Sequence, residues 1–146
     1  VFYCAMDEDW NQALEYARAF LSMDGRESAG KLRAGLMAAE ILQNMGRKEE
    51  AMSELRNYRF NTHDTWYRLI AECIADQHKE KSLVAKAGES PEYVLTSHVA
   101  MGFWAEGSRD KNKAMDHYRE ALGSYMDDMI EYAFAVERIK RLRQRR

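Results

Sequence analysis

Proline occurs once in this 146-residue chain and glycine eight times. That scarcity excludes collagen-like, linker-rich and turn-rich β architectures, which need many residues of one kind or both. No apolar run approaches the roughly 18 residues that a membrane-spanning helix requires. The apolar opening Val1–Met6 has no basic residues before it and no cleavage-like site after it, so it does not read as a signal peptide. The chain starts without Met, and its start is expected to be a cut inside a longer protein. Cysteine occurs only as Cys4 and Cys73, with no C-x-x-C pair and no histidine at zinc spacing. Both read as buried reduced thiols, which behave as small apolar side chains, and they favour a reducing, cytoplasmic setting.

Chemistry-bearing motifs are missing too. There is no P-loop, G-x-G-x-x-G, H-E-x-x-H, G-x-S-x-G or EF-hand loop. His63, His78, His98 and His117 are scattered, with no pair at i, i+4 that could hold a metal, and they read as surface or packing residues. The carboxylate runs Asp7-Glu8-Asp9, Glu49-Glu50 and Asp127-Asp128 lie at or near expected helix starts. There a negative charge stabilises the helix dipole by about 0.3–1 kcal/mol, and no catalytic role is needed to explain it. The expectation is a protein without catalytic residues, cofactor or metal.

Hydrophobic residues make up 46% of the chain and charged residues 32%, enough for a packed core. Apolar residues recur at helical spacing almost throughout, with no long alternating strand pattern. Breaks fall at Gly25, Gly46, Asn61–Thr62, Gln77–His78, Ser90–Pro91, Gly107–Asp110 and Gly123–Ser124. Segments of ten to twenty residues between short turns are the rhythm of antiparallel helices. Ser28, Thr62 or Asp64, Ser90 and Asp110 are placed to cap helix starts, and Pro91 suits a first turn. The fold class is therefore all-α.

Charge is uneven. Six of the last nine residues are basic (Arg138, Lys140, Arg141, Arg143, Arg145 and Arg146), so residues 1–137 carry −8 against −2 for the whole chain. The basic end reads first as a solvated helix terminus with favourable dipole charge, then as a link to a following domain. Nucleic acid is disfavoured, because the acidic body repels a polyanion and no aromatic lies among the arginines.

Three segments resemble one another: Trp10–Phe20, Glu50–Tyr58 and Lys113–Leu122. Each has a small residue, Ala13, Ala51 or Ala114, followed one turn later by a larger one. Ala13 and Ala51 are 38 apart, and Ala51 and Ala114 are 63 apart, close to two units of about 34. Gly35, Ala38, Ala39 and Leu42 precede the second segment, and His98, Met101, Gly102 and Ala105 precede the third. This pattern resembles the tetratricopeptide repeat, with its best matches at Gly46–Tyr58 and Gly102–Leu122. Departures from it include Ala39 and Ile70 where glycine is common, Arg109 in place of a turn glycine, and Ser82, Lys86 and Glu89 where small or aromatic residues are usual. The third unit is therefore expected to be shortened or irregular.

The resemblance implies antiparallel helix-turn-helix repeats stacked as a right-handed α-solenoid. One domain would span 1–146, with a partial repeat at 1–27, repeats at about 28–62, 63–91 and 92–124, and a C-terminal capping helix at 125–146. The first helix of each unit lines the inner curve in this family. That turns Arg33, Met37, Glu40, Gln43 and Asn44 inward, then Asp64, Tyr67 and Arg68, then Val99, Phe103 and Glu106, and finally Phe134, Glu137 and Lys140. The partner-binding candidates are Arg33, Met37, Glu40, Asn44, Tyr67, Arg68, Phe103, Glu106 and Phe134, with an apolar centre at Met37, Tyr67 and Phe103. Such a groove suits a peptide or helix of a protein partner. The alternative is that the C-terminal helix or an upstream segment fills it. Carboxylate-tail capture, which some members perform with Lys and Asn, is disfavoured because Arg33 and Arg68 lack asparagine partners. The expected function is a non-catalytic interaction scaffold. The rival is a spacer or oligomerisation segment of a larger protein, self-associating through the stub Val1–Met6.

Overall fold

Helix follows helix throughout the parts of the chain that the computed structural model describes, which are residues 1–23, 28–76, 79–88 and 90–145. In order they are α1 (Phe2–Met6), α2 (Trp10–Ser22), α3 (Ala29–Asn44), α4 (Lys48–Asn61), α5 (Thr65–Ala75), α6 (Glu80–Ala87), α7 (Pro91–Gly107), α8 (Lys111–Leu122) and α9 (Ile130–Gln144). The described residues contain no strand, so the chain is all-α as its spacing indicates. The breaks expected at Gly25 and Gln77–His78, together with Glu89 and Arg146, lie outside the described residues.

Side-chain caps fix four helix starts. Asp9, Ser28, Asp64 and Asp110 accept from the backbone N–H groups of Gln12, Lys31, Tyr67 and Lys113. Such a cap contributes about 1 kcal/mol. Asp64 rather than Thr62 caps α5, and Ser90 makes no capping bond ahead of Pro91. The expected helix over 125–146 starts later, at Ile130. Tyr125 adopts φ 55°, a left-handed conformation that cannot continue a right-handed helix.

Three helix reversals share one geometry. Glu8, Gly46 and Arg109 have φ of 63°, 79° and 62°. The next N–H in each case closes back onto the preceding helix: Asp9 to Cys4 O, Arg47 to Leu42 O and Asp110 to Ala105 O, each at 2.9 Å. This is the six-residue closure of a left-handed helix C-cap. Ala13, Ala51 and Ala114 each stand five residues beyond the turn residue, and all three are fully buried. The spacings of 38 and 63 seen in the sequence are therefore the spacings of these turns.

Only Gly46 enters this conformation without steric penalty. A residue with a Cβ there loses about 1–2 kcal/mol, partly offset by glycine's greater freedom in the unfolded chain. Arg109→Gly is therefore expected to stabilise the protein by up to about 1 kcal/mol. A urea titration reads this as a higher midpoint at unchanged slope. A midpoint that falls would show that the arginine side chain contributes more than the turn loses.

Packing is not confined to neighbours in sequence. One apolar cluster gathers α1, α2, α7, α8 and α9 around Phe103, Tyr118 and Phe134; a second gathers α4, α5 and α6 around Leu36, Leu55 and Ile70. Both α3 and α7 contribute to each, and they pack directly on one another. Their close crossing needs Gly107, where an added Cβ would stand 2.8 Å from the Asn44 backbone nitrogen. Helix α6 is only eight residues long. At the far end, α1 packs against both α2 and α9. The apolar side of Val1–Met6 is therefore covered by the chain's own last helix, with Ala5 fully buried.

Candidate functional site

Two arginines sit inside this helical core, and they are held very differently. Arg138 on α9 is fully buried. Its Nε donates to Glu106 Oε2 at 3.1 Å and its Nη2 to Glu8 Oε1 at 3.0 Å, with a further short contact from Nη2 to Glu106 Oε1. Its Nη1 donates to the carbonyls of Ala5 and Met6, which close the end of α1. Tyr118 Oη donates to Glu106 Oε2 at 3.0 Å, and burial beside that carboxylate holds the phenol well above its ordinary pKa. Arg145 also pairs with Glu8, and Arg141 with Asp7. Arg138, Arg141 and Arg145 thus reach the acidic turn between α1 and α2, while Lys140 and Arg143 stay exposed. This cluster is satisfied and structural.

Arg33 on α3 is the opposite case. It faces Glu40, two turns along the same side of the helix, with Nη2 3.5 Å from Oε2. Both residues are buried, and Glu40 completely so. None of the three guanidinium nitrogens, and neither Glu40 oxygen, has a hydrogen-bond partner. Burial pushes the Glu40 carboxyl up to about 7, and the charge of Arg33 offsets this only in part. Burial works against the Arg33 charge as well, but the pull of Glu40 and Glu131 outweighs it and raises its pKa. The Phe2 ring lies under the guanidinium, 5.4 Å from Cζ to centroid.

Beside this pair opens a cavity of about 530 Å³, within the size range of small-ligand pockets. Phe2, Tyr16, Phe20, Met37 and Tyr67 supply apolar wall, Arg33 a polar one, and Glu92 and Glu131 complete it. Tyr16 and Phe20 remain 49% and 36% exposed and present apolar surface on α2. Each unmet donor on a buried guanidinium costs about 1–3 kcal/mol.

The groove expected from the sequence is only partly present. Arg33, Met37 and Tyr67 come together at the cavity wall, with Glu40 behind Arg33. Phe103 and Phe134 do not line an open hollow. They are fully buried, packed edge to face at 5.0 Å, because α9 and α1 fold into the space. Glu106 belongs to the Arg138 cluster. Asn44 Nδ2 donates to the Phe103 carbonyl at 3.0 Å and ties α3 to α7. Arg68 lies elsewhere, with Leu69 and Glu72. Of the other inward candidates, Gln43 donates to Ser108, Val99 is core, Asp64 is a cap, and Glu137 pairs with Lys140 and Arg141. Of the expected apolar centre, Phe103 is thus enclosed by the chain's own helices, while Met37 and Tyr67 line a cavity.

Phe2, Tyr16, Phe20 and Glu131 were not anticipated at this site. Tyr16 and Phe20 at i, i+4 beside the buried Ala13–Ala17 stripe were the available signal. Another pairing invisible to local spacing is His98 with His117, whose Nδ1 atoms lie 3.0 Å apart across α7 and α8. Burial lowers both pKa values, that of His117 to about 4 with help from its neighbour, so both rings are neutral at pH 7. One ring then donates and the other accepts. Cys73 is buried, and burial pushes its thiol up to about 11. Among the described residues no group of three or more His, Cys, Asp or Glu could hold a metal ion, and no helix is long and apolar enough to cross a membrane.

No protein-family model, curated protein or solved structure matches the chain.

Proposed function

We propose that the protein is a non-catalytic interaction scaffold, built of tetratricopeptide-like helical hairpins in a short right-handed stack, that takes an apolar anchor from a partner peptide or helix at the Arg33 cavity. The observation that carries this reading is the buried guanidinium that faces Glu40 at 3.5 Å but makes no hydrogen bond, beside a cavity walled by Phe2, Tyr16, Phe20, Met37 and Tyr67. The repeated turns at Glu8, Gly46 and Arg109 support the hairpin part of it. The exposed aromatic flank of α2 gives a partner a surface leading into the cavity.

The test uses a fluorescently labelled, capped 16-residue amphipathic helix made only of Leu and Gln. Anisotropy is expected to show saturable binding to the whole chain, weakened at least ~10-fold by Ala34→Phe, which fills the cavity. Equal binding by the wild type and Ala34→Phe, or none by either, would remove the cavity from the reading. Light scattering addresses the rival. A stable dimer lost on Tyr16→Ser with Phe20→Ser would instead favour an oligomerisation segment.

A further inference from the structure

The charges around the Arg33 cavity say more about its occupant. Arg33 alone would suggest a carboxylate or phosphate ligand, but Arg33 is not alone. Glu40 already faces it, and Glu92 and Glu131 share the cavity wall. In the wall itself Arg33 and Val1 stand with Glu92 and Glu131, and Glu40 lies behind Arg33. An anionic guest would have to displace Glu40 from Arg33 while lying beside Glu131, which is itself buried. Arg33 is thus already engaged by carboxylates, which leaves an anionic guest little to gain there.

Arg33 lacks neutral acceptors, Glu131 has only the distant pull of Arg33, and Glu92 stands exposed in the first turn of α7. No hydrogen bond or salt bridge reaches the side chain of Glu92 or Glu131 among the described residues. The last turn of an α-helix supplies both needs at once. Its final four carbonyls have no partner within the helix and carry negative dipole without net charge, and lysine or arginine is favoured in that turn. The protein already contains the carbonyl half of this recognition, where buried Arg138 donates to the carbonyls of Ala5 and Met6 at the end of α1.

We infer that the Arg33 cavity receives the C-terminal turn of a partner's amphipathic helix, with an apolar side chain filling the cavity, free carbonyls accepting from Arg33, and basic side chains pairing with Glu92 and Glu131. The exposed residues Tyr16 and Phe20 then lie along the body of that helix. This rests on the reading of the cavity as a docking site.

Four capped, C-terminally amidated 16-residue helices separate the two ideas. Their Leu-rich apolar face is constant. Three carry Lys, Gln or Glu in the last turn, and the fourth carries the lysines in the first turn. The last-turn Lys peptide is expected to bind at least ~10-fold tighter than the Glu peptide, with Gln between them. The first-turn Lys peptide should bind no better than Gln. In the double variant Glu92→Gln, Glu131→Gln the Lys-to-Glu ratio should fall close to 1 while Gln-peptide binding persists, and circular dichroism confirms that the variant is folded. Arg33→Met should weaken the last-turn Lys, Gln and Glu peptides alike. Equal binding of Lys and Glu peptides, or equal binding of the two Lys peptides, would overturn this inference and leave the docking reading standing. Binding by none of the four would overturn the docking reading itself.

Discussion

Replacing Arg138 with alanine is expected to destabilise the protein by about 3–5 kcal/mol. The side chain is fully buried and is the common partner of Glu106, Glu8 and the last carbonyls of α1. Its removal leaves Glu106 deep in the core facing only Tyr118 and the more distant Arg145 nitrogen at 3.5 Å. An uncompensated buried carboxylate, not the lost attraction itself, supplies most of the penalty. Substituting Glu106→Met together with Arg138→Met should therefore recover much of the loss, since neither charge is then stranded. Urea unfolding of the single and double variants measures the difference. Hydrogen exchange adds a local readout: the amides of α1 should lose protection in Arg138→Ala well before those of α8. A single variant within about 1 kcal/mol of wild type would show that water reaches Glu106 and that the core is more open than described.

Phe103→Ala is expected to cost about 3–5 kcal/mol as well. The ring is fully buried between Trp10, at 5.9 Å, and Phe134, at 5.0 Å, and it belongs to the same cluster as Phe2 and Tyr118. Truncation opens a void that four surrounding helices cannot collapse to fill. The same substitution also decides between two views of this residue. A phenylalanine on the wall of an open groove could be removed with little effect on folding, typically within about 0.5 kcal/mol, and would act on partner capture alone. Thermal unfolding distinguishes the two, because an unchanged midpoint is compatible only with the open groove.

The local features of the fold were legible because they depend on residues close in sequence. The caps at Ser28, Asp64 and Asp110, and the alanines five residues after each reversal, need only the helical period and the chemistry of a helix end. The shared side of Arg33, Met37 and Glu40 follows from the helical period, whereas their inward direction was only what the repeat resemblance implies. The contacts of the last helix are not legible, because nothing local marks which residues of a basic run meet Asp7 and Glu8 130 or more positions away and which stay in solvent. The enclosure of Phe103 has the same origin: α9 returns to α1, and there Phe134 meets both Phe103 and Phe2. His98 and His117 escaped notice because their contact depends on how two antiparallel helices register, which spacing along a single helix does not reveal.

The contact between Arg138 and Glu8 also bears on the order in which the chain assembles. It closes a loop of 130 residues, whereas the α7–α8 reversal closes through neighbouring residues. Chain entropy delays the longer closure until the intervening hairpins have shortened the effective path. The two ends of the molecule therefore join late in folding, and local opening starts there: α1 lifts away while the central helices keep their packing.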